Sequence, residues 1–245
     1  NDPPTLVNPG NYSVNEDTPL TLSGYTITDA DSFSRDVTVT VALYADAAHT
    51  TLADAGTQGA LTITSTTGLS ASSGSGTNTV TLTGPLADVL AALNALGFQG
   101  AADFNNGPLY LRTTFTDWGH ADVPAGNSVS VDNTITIVPV NDAPLLTVPG
   151  TQTLAAGSSV AISGISFQDT KDTAQGASDA FYTVTVLAPN AGDTLAATVS
   201  GTASSSYNAG TQTLTVSGAR TDVIATPANL VYTPQDSNAD TTYTL

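Results

Sequence analysis

Residues 37–41 read Val-Thr-Val-Thr-Val, so apolar and polar side chains alternate strictly over five positions. A period of two indicates a β-strand with one face buried and the other in water. The same alternation recurs along the chain, and clusters of Gly, Asn, Ser and Asp that favour turns separate the segments. The further segments are residues 61–64, 80–83, 109–115 and 134–137. The pattern predicts an all-β chain.

Two longer blocks of sequence occur twice, in the same order. Residues 20–27 read LTLSGYTI and return at 160–167 as VAISGISF, while residues 79–84 read TVTLTG and return at 213–218 as TLTVSG. Ordered repetition over most of the chain is typical of tandem domains, and chance similarity between Thr-rich strands would not preserve the order.

The segment that precedes each series of blocks also repeats, because Asn-Asp-Pro-Pro at 1–4 matches Asn-Asp-Ala-Pro at 141–144. We predict one domain over residues 1–144 and a second over residues 145–245. By alignment, the second domain stops near the position of Leu111 in the first, so it is expected to lack the last hairpin. With about seven strands in a repeat, the prediction is a pair of tandem immunoglobulin-like β-sandwiches.

One segment of the first domain has a helical period. Between residues 85 and 96, apolar side chains recur at spacings of three and four residues, which places them on one face of a short helix. These side chains are Leu86, Val89, Leu90, Leu93 and Leu96. Such a stripe either packs on its own sandwich or forms a groove for a partner, and the pattern favours a packed crossover helix. In the second domain, Pro227 is expected to shorten the corresponding helix.

The charge balance is extreme and limits the classes of partner. The chain carries 21 acidic residues against four of Lys and Arg, a net charge of −17, and Glu16 is its single glutamate. Nucleic acid is not expected as a partner, because phosphate binding needs a basic patch. Membrane insertion is not expected either, because no run of about 18 apolar residues occurs. A divalent cation is the natural counter-ion, and the lack of cysteine and methionine fits an extracellular location.

The predicted strand directions sort the acids into two ends of the first sandwich. A strand over residues 5–14, a returning strand over residues 20–27, and the antiparallel pair 109–116 and 134–140 bring the loops of each end together. The near end receives Asp2, Asp29, Asp31 and Asp117. The far end receives Glu16, Asp17, Asp103, Asn141 and Asp142, to which the second domain adds Asp169 and Asp172.

Carboxylates gathered at one end repel one another unless a cation separates them. Calcium suits this role, since it takes about six to eight carboxylate and carbonyl oxygens in a flexible shell. Zinc would need thiols or more imidazoles than His49 and His120 provide. Asp29-Ala30-Asp31 is not an EF-hand loop, because it lacks the glycine and the closing glutamate. The convergence of several separate segments predicts Ca²⁺ at the joint between the two domains.

Several short motifs occur together in the first domain. They are residues 14–20 (VNEDTPL), 27–32 (ITDADS), 86–93 (LADVLAAL), 103–105 (DFN), 115–117 (FTD) and 140–144 (VNDAP). In combination they resemble the cadherin-like tandem repeats of giant bacterial surface proteins, including the RTX-type adhesins. The resemblance covers the whole first domain. It implies secreted, cadherin-like β-sandwiches at a bacterial cell surface, whose partners are neighbouring repeats of the same chain and other copies in a fibre or biofilm.

The resemblance also implies a set of calcium ligands. In cadherin-type joints, an acid after the first strand, an Asp-x-Asp loop, an aspartate before the last hairpin and the linker Asn-Asp supply the calcium shell. Carried onto this sequence, the joint ligands are Glu16, Asp103, Asn141, Asp142 and Asp169, while Asp2, Asp29, Asp31 and Asp117 face a preceding repeat.

The second domain departs from that pattern at two loops. Ala155-Ala156-Gly157 stands where the first domain has Asn15-Glu16-Asp17, and Lys171 adds a cation beside Asp169 and Asp172. The joint is therefore expected to hold fewer ions than a complete cadherin joint, and calcium stiffening is expected to vary along the fibre.

These observations favour a structural module of an adhesin or matrix fibre, in which calcium stiffens the joint between repeats. A carbohydrate- or ligand-binding sandwich is the alternative, since Trp118 and Tyr110 could stack on a sugar, although Trp118 is expected to pack beside the turn at Asp117. A strand from another copy could also complete the second domain and build a filament. An enzyme is not expected, because His49 and His120 lie in polar, loop-like sequence without a nucleophile motif.

Overall fold

The structure is a computed structural model that describes residues 2–30, 35–118, 126–154, 158–168, 181–226, 230–235 and 242–243. It divides into two compact units, Asn1–Val140 and Asn141–Leu245. Each unit has its own hydrophobic core, and strands make up most of its regular structure. The predicted all-β class with a short helix is therefore confirmed.

The first unit contains eleven strands and one helix within the part of the chain that the structure describes. Many of the strands alternate buried and less buried residues, as the two-residue period requires. In chain order the elements are β1 (Thr5–Val7), β2 (Tyr12–Asn15), β3 (Leu20–Leu22), β4 (Thr26–Thr28), β5 (Val37–Tyr44), β6 (Gly59–Thr62), β7 (Ala71–Ser73), β8 (Thr79–Gly84), α1 (Leu86–Leu93), β9 (Leu96–Gly100), β10 (Pro108–Thr116) and β11 (Ser128–Val138).

Two larger sheets of the first unit share one core. Among the described residues, one sheet has six strands in the order β2-β11-β10-β5-β8-β7 and the other has three in the order β3-β9-β6, while β1 pairs with β4. Val39 and Leu111 from the first sheet and Leu61 and Phe98 from the second are at most 1% exposed and belong to one cluster. The arrangement is that of a β-sandwich.

Two predicted strands are each broken into two, which corrects the sequence prediction. Residues 5–14 form β1 and β2, which join different sheets, and Gly10 between them has a φ of 94°. Residues 20–27 form β3 and the start of β4, separated at Gly24, whose φ is 95°. A Cβ on Gly24 would lie only 2.8 Å from the Cβ of Pro9. The second break therefore requires glycine both for its backbone conformation and for this close approach.

The predicted crossover helix is present but ends earlier than its apolar period suggests. Val89 and Leu93 on α1 are fully buried in the core, so the helix packs on its own sandwich as predicted. Leu96 extends the helical period in the sequence, but it begins β9, where it is also fully buried. An apolar side chain at this point satisfies either period, so the sequence alone does not separate the end of the helix from the start of the strand.

Asn94 connects the end of α1 to the backbone at Tyr25. Its Oδ1 accepts a hydrogen bond from the Tyr25 N–H at 2.8 Å, and its Nδ2 donates to the carbonyls of Tyr25 at 3.0 Å and Leu90 at 3.1 Å. One side chain thus satisfies both backbone groups of Tyr25, within the break between β3 and β4, and a carbonyl on the last turn of the helix.

Replacing Asn94 with alanine is expected to lower the free energy of unfolding of the first unit by about 2 kcal/mol, because the Tyr25 N–H and carbonyl lose these bonds. Chemical denaturation followed by the fluorescence of Trp118, the single tryptophan, measures the change. Asn94→Asp keeps the acceptor and should restore part of the loss. A change below about 0.5 kcal/mol in the alanine variant would contradict the assigned role.

The second unit contains ten strands and one helix among its described residues. Its regular structure is less extensive than that of the first unit. The elements are β12 (Leu145–Thr147), β13 (Gln152–Thr153), β14 (Val160–Ile162), β15 (Ser166–Gln168), β16 (Phe181–Leu187), β17 (Thr194–Ala197), β18 (Ser204–Asn208), β19 (Thr213–Ala219), α2 (Arg220–Ala225), β20 (Leu230–Thr233) and β21 (Thr242–Tyr243).

The described strands of the second unit pair as β12–β15, β13–β21, β14-β20-β17 and β16-β19-β18. Leu195 and Tyr232 from one three-stranded sheet and Leu214 and Val216 from the other are at most 2% exposed. The helix α2 has six residues against eight in α1. Pro227, expected to shorten it, lies outside the described residues, as do residues 155–157. Neither of the helices that the structure describes is long enough to cross a membrane.

Both units hold a loop against their helix in the same way. Gly68 has a φ of 76° and Gly201 a φ of 56°. A Cβ at either position would lie 2.3 Å from the Cγ of an aspartate in the first turn of the helix, Asp88 in one unit and Asp222 in the other. In the second unit the Thr202 N–H donates to Asp222 Oδ2 at 2.8 Å. These two aspartates therefore have a structural role in the sandwich.

Candidate metal site

The far end of the first unit brings three segments together. The strand β2 runs parallel to β11, and the Glu16 N–H that follows β2 donates to the carbonyl of Val138 at 2.9 Å. The residues after β2 therefore lie beside residues 139–142, which follow β11 and which we call the exit segment. The loop after β9 joins them, because the Asp103 N–H donates to Asp17 Oδ1 at 3.1 Å.

The side chain of Glu16 is buried at this end of the sandwich, and the residue is only 3% exposed. Its Oε1 accepts hydrogen bonds from the Val140 N–H at 2.6 Å and from Asn105 Nδ2 at 3.4 Å. Its Oε2 is buried and has no hydrogen-bond partner among the described residues. A buried carboxylate oxygen without a donor is costly unless a cation takes the place of the missing donor.

Three aspartates form a group that we call the acidic cluster: Asp17, Asp103 and Asp142. One carboxylate oxygen from each lies within 4.8 Å of the others. Asp17 and Asp103 both have a φ of 59°, a left-handed conformation that aspartate tolerates better than most residues. Asp142 lies on the exit segment, two residues after Val140, whose N–H is bonded to Glu16.

The oxygens of the acidic cluster fit calcium, while Glu16, directly before Asp17, is not one of the three described residues at mutual ligating distance. Two oxygens bound to one Ca²⁺ lie at most about 4.8 Å apart, since each Ca–O distance is about 2.4 Å, and the separations in the acidic cluster stay within that limit. All of these groups are hard oxygen donors, which calcium accepts in a flexible shell. The acidic cluster contains neither the histidine nor the cysteine that a zinc site uses. The residues present therefore suit Ca²⁺ better than Zn²⁺.

The other ligands predicted for the far end are not placed in the acidic cluster. Asn141 is exposed, and its Nδ2 donates to the carbonyl of Asp142 at 3.1 Å. Asp169 and Asp172 lie outside the described residues, as does Lys171. Their contribution to calcium binding stays a prediction.

At the near end of the first unit, two of the predicted acidic residues accept hydrogen bonds from the same residue, Asn127. The Asn127 N–H donates to Asp117 Oδ1 at 3.3 Å, and Asn127 Nδ2 donates to the carbonyl of Asp2 at 3.4 Å. Asp117 is only 4% exposed. Asp29 follows β4, which pairs with β1 near Asp2, while Asp31 lies outside the described residues. In the part of the chain that the structure describes, the near end does not gather three acidic side chains at ligating distance.

Other acids of the first unit have donors of their own. The carboxylate of Asp54 accepts hydrogen bonds from the N–H groups of Gly56 and Thr57, both at 2.9 Å, and these bonds lower the pKa of Asp54. Arg112 forms a bidentate pair with Asp132, with both N–O distances at 2.9 Å. This pair holds the pKa of Asp132 below its ordinary value. Such carboxylates have their partners within the protein, whereas Glu16 Oε2 has none in the part of the chain that the structure describes.

Asn105 and the backbone of Val140 are parts of the site that sequence reasoning misses. Asn105 is 8% exposed and holds the carboxylate of Glu16 from the side of the β9 loop. A signal for it exists, since Asn105 lies two residues after Asp103, but an amide indicates a metal site less strongly than a carboxylate does. The N–H of Val140 has no sequence signal, because every residue except proline carries one.

The surroundings of His49 differ from those expected of a polar loop. Its side chain is only 7% exposed, and its ring lies edge-on to Tyr44 at a centroid distance of 5.0 Å. Its Nε2 lies 3.7 Å from Asp132 Oδ1. The residue is therefore packed into the first unit, while His120 lies outside the described residues.

Trp118 is more exposed than predicted. Trp118 is the residue after Asp117, as the prediction assumes, but it is 57% exposed. The indole Nε1 donates to Thr38 Oγ1 at 3.1 Å. The hydrogen bond fixes one edge of the ring and leaves much of its surface in solvent.

The sequence matches no protein-family model and no curated protein. Among solved structures, the chain is similar to the C-terminal domain of the AgI/II polypeptide BspA of Streptococcus agalactiae, with 13% identity, a TM-score of 0.31, and coverage of 94% of this chain and 88% of that one. It is also similar to the C-terminal domain of the antigen I/II-family protein AspA of Streptococcus pyogenes, with 14% identity, a TM-score of 0.29, and coverage of 94% and 87%. Similarity at this level carries no argument about function.

Proposed function

We propose that this chain is a pair of structural repeats from an adhesin or matrix fibre at a bacterial cell surface, and that calcium stiffens the joint between the repeats. The observation that carries the proposal concerns Glu16, which lies directly before Asp17 of the acidic cluster. Its Oε2 is a buried carboxylate oxygen that has no donor among the described residues. The role is structural rather than catalytic, and its partners are neighbouring repeats and other copies in the fibre.

Electrostatic repulsion at the far end supports a bound cation. Two like unit charges about 4 Å apart repel by about 4 kcal/mol at the effective dielectric constant near a protein surface. The acidic cluster places three such carboxylates within 4.8 Å of one another. Glu16, the residue before Asp17, adds a fourth carboxylate that is almost fully buried. A calcium ion replaces these repulsions with attractions, so the folded arrangement and the bound ion stabilise each other.

The position of Asp142 links the ion to the path of the chain. Asp17 and Asp103 lie on loops of the first unit, while Asp142 lies on the exit segment. An ion bound to all three holds the exit segment against the end of the first sandwich. Extracellular modules bind calcium with dissociation constants of about 0.1 to 1 mM, a range in which the medium outside the cell controls occupancy.

Calcium is expected to stabilise the first unit. For a dissociation constant of about 0.1 mM, roughly 2 mM calcium adds about 2 kcal/mol to the free energy of unfolding, which raises Tm by about 5 °C for a domain of this size. Thermal unfolding of the full chain in calcium and in chelator, followed by Trp118 fluorescence, measures the shift. Magnesium at the same concentration is the control and should shift Tm less. Equal Tm values in calcium and chelator would contradict the site.

Stiffening of the joint is tested by a separate measurement on the same samples. Small-angle X-ray scattering of the full chain should give a larger and better-defined maximum dimension in calcium than in chelator. If calcium raises Tm but leaves the maximum dimension unchanged, the metal site stands and its role in stiffening the joint is wrong.

A further inference from the structure

The loop between β9 and β10 contains the sequence Asn105-Asn106-Gly107, and Asn106-Gly107 is the only Asn-Gly pair in the chain. In such a pair the backbone nitrogen of the glycine can approach the side-chain Cγ of the asparagine, because the glycine carries no Cβ to block it. This approach begins a reaction in which asparagine loses its side-chain amide. The sequence alone therefore marks this pair for covalent modification without an enzyme.

The structure leaves the pair open to solvent. Asn106 and Gly107 are exposed, as is Pro108 after them. Gly107 has a φ of 66°, and a Cβ there would meet no heavy atom of the described residues within 4 Å, its chain neighbours aside. The loop thus has room for the Asn106 side chain to turn towards the Gly107 nitrogen and for water to follow.

The residues on either side of the pair are held by the sandwich. Asn105 is only 8% exposed, and its Nδ2 donates to Glu16 Oε1 at 3.4 Å. Pro108 is the first residue of β10 and lies opposite Thr136 of β11. Opening of a short exposed segment costs little free energy compared with unfolding of the whole sandwich. The pair can therefore change conformation while the first unit stays folded.

Two other asparagines of the first unit are better protected. Asn133 is 3% exposed, its Oδ1 accepts a hydrogen bond from the Tyr25 hydroxyl at 3.1 Å, and the β-branched Thr134 follows it. Asn127 is followed by Ser128 of β11, and its N–H and Nδ2 both donate hydrogen bonds. A side chain after the asparagine hinders the attack, and these bonds oppose the rotation that aligns the reacting atoms.

We propose that Asn106 is a site of spontaneous deamidation in the folded chain. The backbone nitrogen of Gly107 attacks Asn106 Cγ, so a new N–C bond forms and the Cγ–Nδ2 bond breaks. The leaving amide nitrogen takes the proton of the Gly107 N–H and departs as ammonia, and a cyclic imide remains. Water then opens the imide at either carbonyl carbon. Opening at Cγ gives aspartate, and opening at the main-chain carbonyl gives isoaspartate, in which the backbone runs through the former side chain.

Both products change the far end of the first unit. Each adds a negative charge to the loop that carries Asp103 of the acidic cluster. The Cα atoms of Asn106 and Asp103 are at most about 11 Å apart, since consecutive Cα atoms are separated by about 3.8 Å. At low salt the new charge therefore acts on the acidic cluster, because the Debye length is then about 30 Å. The effect on calcium binding rests on the proposed function, whereas the deamidation itself does not.

The test follows the folded full chain in chelator at mildly alkaline pH, where the backbone nitrogen loses its proton more readily. Peptide mapping by mass spectrometry measures the loss of each asparagine amide with time and separates aspartate from isoaspartate. We expect Asn106 to convert at least about tenfold faster than Asn127. Its rate should lie within about tenfold of its rate in the urea-unfolded chain, which corresponds to a local opening of about 1.4 kcal/mol or less.

Two variants identify the reacting groups. Asn106→Gln keeps an amide but moves it one methylene away from the Gly107 nitrogen, so conversion at this position should not be detected while the wild-type chain reacts. Gly107→Ala places a Cβ beside the attacking nitrogen and should slow conversion of Asn106 at least about tenfold. Thermal unfolding checks that this variant folds, because alanine is strained at a positive φ.

Three results would overturn the proposal. In the first, Asn106 keeps its amide in the folded chain while the unfolded chain loses it, because the folded loop then blocks the attack. In the second, Asn127 converts as fast as Asn106. In the third, Asn106→Gln converts at the wild-type rate, because direct hydrolysis by water then explains the loss. All rates are measured without calcium, so failure of the calcium site would leave them unchanged.

Discussion

Replacing Glu16 with glutamine is expected to weaken calcium binding about 100-fold, which corresponds to roughly 3 kcal/mol. The substitution keeps the shape of the side chain and an oxygen that accepts the Val140 N–H. It removes the negative charge from a residue that is only 3% exposed and whose Oε2 has no hydrogen-bond donor in the described structure. A divalent ion bound at the acidic cluster, which includes the next residue, Asp17, would lose the attraction of one buried charge, and at low dielectric that attraction is strong.

The same substitution has the opposite effect in chelator. Without calcium, the wild-type protein buries an uncompensated charge next to the acidic cluster, and glutamine removes that cost. We expect E16Q to be more stable than the wild type by about 1 to 2 kcal/mol in chelator and less stable at saturating calcium. The two stability curves, plotted against calcium concentration, should cross. A purely structural glutamate would give destabilisation at every calcium concentration.

Isothermal titration calorimetry and unfolding followed by Trp118 fluorescence measure the two effects on the full chain. The matched control is Asp36→Asn, which removes one negative charge just before β5, at the opposite end of the first unit. It should change calcium affinity less than about threefold, because a solvated charge at that distance is screened. If E16Q and D36N weaken calcium binding equally, general electrostatic attraction explains the binding and the assigned site is wrong.

The far end was open to prediction because strand direction survives the breaks in the strands. The segments before and after Gly10 belong to different sheets, but the chain continues towards the same end, so Glu16 and Asp17 still follow β2 where the prediction places them. Asp103 could be placed at the far end because it follows a strand that ends there. Chain direction and antiparallel pairing thus suffice to gather acids at one end of a sandwich.

The different roles of these acids could not be predicted from the sequence. Glu16 and Asp17 are adjacent and chemically alike, yet one is buried with an unsatisfied oxygen and the other is exposed. The burial of Glu16 depends on its contacts with Asn105 and with Val140 of the exit segment, which are distant in sequence. Turn chemistry also produces many aspartates with no metal role, of which Asp54 is an example.

Asp193 of the second unit is a second acid whose burial could not be predicted from the sequence. It stands in a turn after Asn190-Ala191-Gly192 and has the sequence context of a solvated turn aspartate. In the structure it is only 3% exposed. By strand register, its counterpart in the first unit is Gly59, which has no side chain, and the counterpart of Tyr232 is Phe98. The second unit has thus gained a carboxylate and a hydroxyl that meet in its core.

The carboxylate of Asp193 is fully satisfied by donors of the second unit. Its Oδ2 accepts hydrogen bonds from the Tyr232 hydroxyl at 2.7 Å and from the backbone N–H and Nδ2 of Asn190, both at 3.1 Å. Its Oδ1 accepts one from the Gln235 N–H at 3.0 Å. Burial alone would raise the pKa of Asp193, but these bonds outweigh it and hold the pKa below its ordinary value.

Replacing Asp193 with asparagine is expected to lower the free energy of unfolding of the second unit by about 3 kcal/mol at neutral pH. The amide NH₂ group cannot accept a hydrogen bond. The donors that bond to one carboxylate oxygen of Asp193 would therefore lose their acceptor and face N–H hydrogens instead. Tyr232→Phe removes a single donor and should cost less, about 1 to 2 kcal/mol. Native-state hydrogen exchange at Leu195 and Tyr232 measures both changes within the second unit, and Trp118 fluorescence should show the first unit unchanged.

The pH dependence of stability separates the contribution of the ionised Asp193 carboxylate from the contribution of side-chain packing. Its folded pKa lies below its unfolded value, so between the two pKa values the unfolded state binds more protons. The stability that the carboxylate supplies is therefore complete above the unfolded pKa of about 3.9 and is lost as the pH falls through the lower folded pKa. The asparagine variant lacks this titration, so its deficit relative to the wild type should shrink in acid. A deficit that stays constant from pH 7 to about pH 2 would show that packing, and not the ionised carboxylate, stabilises the second unit.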